Sequence, residues 1–168
     1  ILSPAAIERA RRVEECADGR WVPQFLSLSA AIDNSRKDQT LNTPALATII
    51  MAERQVRWLL QRGGMDAVSA HCAQASSLIY DWAKANLAAR PFVDNPAWRS
   101  PVTATIEIDE AVNASELAAH LRARGIVDIG AYRGVGANQL RIGTWPSVEV
   151  EDVEALLACI DYCLERVL

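Results

Sequence analysis

Apolar residues recur at helical spacing along most of the first 85 residues, and strict alternation of apolar and polar residues first shows after residue 101. Ser3-Pro4 supplies a capping side chain and a proline at the helical position where a missing N–H costs nothing. This first helix should run to about Cys16 and stop near Asp18-Gly19. From Arg20 to Leu41 the periodicity fails and Ile32 to Gln39 is largely polar. A long loop is expected there, and loops of that length inside compact domains usually serve function. Thr43-Pro44 opens the next helix. Leu46, Ile49, Ile50, Val56, Leu59 and Leu60 mark one of its faces, and Gly63-Gly64 ends it. A further helix starts near Asp66, with Val68, Cys72, Ala75, Ile79 and Trp82 on one stripe. A connector carrying three prolines follows, from Arg90-Pro91 to Ser100-Pro101.

Val102 to Ile108 alternates as a strand with one covered face does. Asn113 with Glu116 forms a capping-box-like start to a helix that ends at Gly125. Ile126 to Ile129 reads as a short strand. Gln139 to Trp145 reads as another, with Leu140 and Ile142 on one face and Arg141 on the other. The last helix, from about Val150 to Val167, lines up Val153, Leu156, Leu157, Ile160, Leu164 and Val167. The predicted order from residue 102 is therefore β-α-β-β-α, a small sheet with helices on one face within an α/β chain.

The totals narrow this picture only a little. Half the residues are hydrophobic (51%) and 23% are charged, as in an ordinary globular chain. A net charge of -4 gives no electrostatic reason to expect nucleic acid or anionic lipid as a partner. No apolar run approaches the roughly 20 residues that a membrane span needs. No signal peptide is expected, and a cytoplasmic protein is. Cys16, Cys72, Cys159 and Cys163 form no CxxC pair, and His71 and His120 lie at no metal-binding spacing, so buried reduced thiols are expected and a metal is not.

Two segments carry candidate chemistry. In Gln39-Thr40-Leu41-Asn42-Thr43-Pro44, a carboxamide and a hydroxyl stand beside a helix start. Such a group can be a cap alone, or a cap that also binds an anion through unpaired amides and the helix dipole. In Gly130 to Ile142, Arg133 precedes a glycine-rich turn and Arg141 projects from the strand after it. Two guanidinium forks brought together there would suit a dianionic substrate, whereas two solvated arginines would do nothing.

The run Arg20-Trp21-Val22-Pro23-Gln24-Phe25-Leu26-Ser27-Leu28, followed by Ile32 to Pro44, resembles the actinobacterial branch of the phosphoserine aminotransferases. These belong to the class V, fold-type I pyridoxal-phosphate enzymes. Gly125-Ile126-Val127-Asp128, Tyr132-Arg133, Asn138-Gln139-Leu140-Arg141 and Trp145-Pro146 continue the resemblance in the same order. It covers the whole chain but only about the C-terminal half of the family's length. Better-known members carry His-Arg at the positions of Tyr132-Arg133 and have a shorter turn before the second arginine.

The resemblance implies a fold, an activity and a set of roles. Residues 1–68 would finish the large cofactor domain, and 69–168 would form the small C-terminal domain. The intact homodimer would transfer an amino group between L-glutamate and 3-phosphohydroxypyruvate, with pyridoxal 5'-phosphate as cofactor, in serine biosynthesis. Asn42 and Thr43 would reach the cofactor phosphate of the neighbouring subunit. Arg141 would bind the substrate carboxylate, and Arg133 the distal phosphate or carboxylate. The resemblance also implies a Schiff-base lysine upstream of Ile1; Lys37 and Lys84 read as solvated. The chain alone should therefore be inactive. The alternatives are another fold-type I aminotransferase, such as an alanine–glyoxylate type, and a non-catalytic isolated domain.

Overall fold

The computed structural model describes residues 1–16, 18–132 and 138–166. It divides into two compact units, Ile1–Arg54 and Gln55–Leu168.

The first unit is helical. Ser3 accepts the Ala6 amide at 3.2 Å, Pro4 takes the first position, and α1 spans Pro4–Glu15. Asp18 and Gly19 then adopt left-handed backbone, with φ of 47° and 70°, which stops the helix where expected. The segment expected to be a loop is more ordered than its composition suggests. A 3₁₀ turn covers Gln24–Leu26, and Ser27 caps α2, Leu28–Ser35, by accepting the Ala30 amide at 3.1 Å. Asn34 donates to the Ala30 carbonyl at 2.8 Å, so part of the polar run is spent on ending this helix. Among its described residues this unit buries no side chain.

The helix expected from Thr43 begins later. α3 spans Leu46–Gln61 and crosses the division between the units. The chain instead turns once more, with the Leu46 amide donating to the Pro44 carbonyl at 2.9 Å. No residue of α3 is buried, and Leu46, Ile49, Ile50, Val56 and Leu60 are all exposed.

The second unit holds the core. α4, Gly64–Ala85, begins at a left-handed glycine pair, with Gly63 as its cap and Gly64 as its first residue. Gly63 there has no room for a side chain, since a Cβ would come within 2.8 Å of Ala67. The connector contains a strand that its prolines concealed: β1, Ala89–Pro91, pairs antiparallel with β2, Thr103–Ile108. Pro91 is admissible because β1 is an edge strand. β3, Gln139–Gly143, pairs antiparallel with β2 on its other side, placing Thr105 opposite Arg141. Asn113 accepts the Ser115 and Glu116 amides to start α5, Ala114–Arg122, and α6 runs Val150–Arg166.

Ile126 to Ile129 is not a strand. Asp128 takes a positive φ of 62°, its carboxylate held by Arg122 at 2.6 Å, and only Gly130 bridges to Leu140. The described order from residue 102 is thus β-α-β-α, with β1 added in front.

Ala104, Ile106, Ile108, Leu140 and Ile142 form the covered face of the sheet. They cluster with Ala75, Ile79 and Ala83 of α4, Leu117 and Leu121 of α5, and Val153, Leu157 and Ile160 of α6. Thr103, Thr105, Glu107 and Arg141 lie on the other face, the first three half-buried and Arg141 exposed. Cys72 and Cys163 are buried, whereas Cys16 and Cys159 are exposed, contrary to expectation.

Candidate functional site

Arg141 owes its position to strand alternation. Leu140 and Ile142 are drawn into the core, 0% and 2% exposed, which turns the residue between them to the open face. Its backbone is fixed on both sides: the Arg141 amide donates to the Ile129 carbonyl at 2.9 Å, and Thr105 lies across the ladder. Its guanidinium carbon sits 4.9 Å from the centre of the Tyr132 ring. Among the described residues no carboxylate forms an ion pair with it, whereas Arg90 on β1, beyond β2, is paired with Glu107. Two residues further on, Gly143 leaves space for the half-exposed indole of Trp145, whose Nε1 would lie 2.5 Å from a Cβ at that position. The result is a cation fixed at its base, set against the Tyr132 ring and open to solvent.

Asn138 sets the start of the strand. Its Nδ2 donates to the carbonyls of Ile108, Asp109 and Val112 at 3.0, 2.8 and 2.6 Å. Its Oδ1 accepts the first amide of α5, from Ala114, at 2.8 Å, while its own carbonyl accepts the Ile108 amide at 2.8 Å. One side chain therefore ties the end of β2, the following turn and the start of α5 to the residue from which β3 departs. The local sequence around Asn138 gives no sign of this role, because its partners lie 24 to 30 positions away.

Beneath the sheet edge, Tyr80 of α4 is buried and hydrogen-bonds the backbone of Thr105. Arg99 lies over its ring at 4.7 Å while donating to the Val93 carbonyl at 2.8 Å and the Asp94 carbonyl at 3.1 Å. Burial pushes the Tyr80 phenol above its ordinary value, and the Arg99 charge and the Thr105 hydrogen bond oppose this more weakly. Burial likewise raises the Cys72 thiol, which argues against a reactive role.

The other expected site residues are Asn42 and Thr43, and both are exposed, ahead of α3. The Thr40 hydroxyl donates to the Asn42 carbonyl at 2.6 Å and bends the chain there. A carboxamide, a hydroxyl and a helix start make a donor set that fits a phosphate group. The described residues do not fit the aldehyde end of the same cofactor: Lys84 is ion-paired with Asp81 at 2.9 Å and exposed, and Lys37 lies on an exposed turn. Arg133 lies outside the described residues. Among those described, no three His, Cys, Asp or Glu side chains gather as a metal site requires. No helix among them is long and apolar enough to cross a membrane.

No protein-family model matches the chain. Among curated proteins, it is 46% identical over 166 residues to the phosphoserine aminotransferase of Rhodococcus jostii. It is 51% identical over the same length to a protein of Mycolicibacterium vanbaalenii that bears this name provisionally. Each alignment takes in 99% of this chain but 44% of the relative, in its C-terminal half, so the chain spans less than half the length of the relatives it matches. Among solved structures, the phosphoserine aminotransferase of Cytophaga hutchinsonii superimposes with a TM-score of 0.81 at 19% identity, over 99% of this chain and 44% of that one. The pyridoxal-phosphate-bound phosphoserine aminotransferase of Trichomonas vaginalis gives 0.67 at 18% identity, over 84% and 40%. An aspartate aminotransferase of Thermus thermophilus gives 0.72 at 19%, over 99% and 44%. At these identities the structural likenesses establish the fold alone. The resemblance read from the sequence agrees with the curated relatives in name and in extent.

Proposed function

We propose that this chain is the C-terminal part of a phosphoserine aminotransferase and supplies the carboxylate-binding arginine of its site. The complete protein moves the amino group of L-glutamate to 3-phosphohydroxypyruvate, leaving 2-oxoglutarate and O-phospho-L-serine. The observation that carries this reading is Arg141: buried strand neighbours turn it outward, no described acid neutralises it, and it lies in a chain nearly half identical to proteins of that name. On this reading residues 1–68 complete the large domain, 69–168 form the small domain, and the enzyme is a cytoplasmic homodimer.

The roles of the side chains follow from their chemistry. Arg141 holds the carboxylate common to glutamate and the keto acid through two parallel N–H···O bonds, which fixes the orientation of the α-carbon. Arg133 takes the distal anion, a phosphate on one substrate and a carboxylate on the other. Asn42 and Thr43 hold the phosphate of pyridoxal phosphate in the partner subunit, where a helix start favours negative charge. When bound, the cofactor supplies the electron sink and carries the amino group between substrates. A site drawn from two subunits requires an isologous, two-fold pairing.

Incubating the complete protein with glutamate and 3-phosphohydroxypyruvate should give O-phosphoserine at a kcat/KM well above that for alanine with glyoxylate. Preference for alanine and glyoxylate would overturn the assignment in favour of the other aminotransferase type. Supplying the present 168 residues alone with pyridoxal phosphate and glutamate should give no pyridoxamine phosphate, since neither of their lysines fits the aldehyde end. Turnover by the chain alone would refute that division of labour.

A further inference from the structure

We infer that Tyr132 is a positioning residue for Arg141, and that its ring rather than its hydroxyl does this; the inference rests on the carboxylate-binding role proposed for Arg141. A free arginine side chain samples many rotamers, and ordering it to grip an anion costs conformational entropy. The strand fixes the Arg141 backbone but not its guanidinium. Among the described residues the guanidinium's ring contact is Tyr132, with the guanidinium carbon 4.9 Å from the ring centre, inside the roughly 6 Å range of cation–π attraction.

Three features make a ring suited to this task where an acid would not be. A stacked ring engages the face of the guanidinium plane, while a carboxylate engages its edge, so both can be bound together. An aromatic face removes no charge from the cation, whereas an internal carboxylate would occupy the edge and neutralise the site. Tyr132 is itself 55% exposed, so a bound substrate that displaces water from the arginine also dries the ring contact and strengthens it. Tyr132 has no reacting atom to offer in this arrangement. It limits where the guanidinium can go.

The experiment uses the complete enzyme, with Tyr132→Phe, Tyr132→Leu, Arg141→Ala and the double variant Tyr132→Leu/Arg141→Ala. Tyr132→Phe keeps the ring and should stay within about two-fold of the parent in every parameter. Tyr132→Leu keeps bulk but removes the π face. It should raise KM for both amino and keto acids about two- to five-fold with kcat little changed, the range expected from one exposed cation–π contact. The dissociation constant of maleate, a non-reacting dicarboxylate followed by calorimetry, should rise by the same factor, and Tm should be unaltered. In the Arg141→Ala background, Tyr132→Leu should add nothing. Unchanged KM and maleate affinity in Tyr132→Leu would overturn the inference. So would a Phe variant as impaired as the Leu variant, or a Leu effect that persists without Arg141. Should Arg141→Ala alone bind and turn over normally, the carboxylate role itself fails, an outcome distinct from these three.

Discussion

The two units carry similar patterns of apolar residues and do very different things with them. In Gln55–Leu168 the stripes on α4, α5 and α6 meet the covered face of the sheet, and side chains such as Ile79, Ile106, Leu117, Leu140 and Ile160 are fully buried. In Ile1–Arg54 α1 and α2 carry serine caps, yet no described side chain is buried, and Phe25 stays 77% exposed. Local rules of propensity and capping form helices in both. Only the second unit brings together enough complementary surface to stabilise them from within. An amphipathic pattern shows that a face is meant to be covered; it does not say by what.

The contrast can be tested in the chain itself, by urea unfolding followed with circular dichroism. Ile106→Ala removes a fully buried side chain from the sheet and should cost about 2–5 kcal/mol. Leu28→Ala in the first unit, where the side chain is already 53% exposed, should cost under about 1 kcal/mol. Equal losses would erase the distinction. A somewhat smaller effect is expected from Asn138→Ala, about 1–3 kcal/mol, because it strips partners from three carbonyls and an amide inside the second unit. Asn138→Asp should not rescue it, since a carboxylate cannot donate to those carbonyls; full rescue would show that the amide donors are idle.

The smallest effect concerns pH. The fold holds the Tyr80 proton more tightly than the unfolded chain does, whose phenol titrates near 10.0. Stability should therefore be flat with respect to this group below about pH 10 and fall as pH rises through that value towards the raised folded one. Tyr80→Phe should flatten that decline, and an unchanged alkaline slope would show that Tyr80 does not contribute to it.

What the sequence revealed follows the range of the interactions involved. Ser3, Asn113, the alternation of Val102 to Ile108 and the outward turn of Arg141 depend on neighbours within a few positions, and the structure agrees with each. α2 escaped notice because its eight residues are too few to show a period once a polar tail follows. β1 escaped because proline argues against a strand unless one already knows that the strand lies at an edge. The expected strand at Ile126 to Ile129 fails on the single left-handed Asp128, and α3 starts only at Leu46, after a turn in which the Leu46 amide donates to the Pro44 carbonyl. At the site, the Tyr132 contact and the Asn138 ties join residues brought together only by tertiary pairing. On the proposed function, placing Asn42 and Thr43 against a cofactor would take a second subunit, and Arg133 lies outside the described residues.

The most direct measurement is the steady-state kinetics of Arg141→Ala in the complete enzyme with both substrates. Loss of the fork that grips their shared carboxylate should lower kcat/KM by about 30-fold or more for glutamate and for 3-phosphohydroxypyruvate alike, equivalent to about 2 kcal/mol. Parent-like kcat/KM for both would show that this cation faces only water.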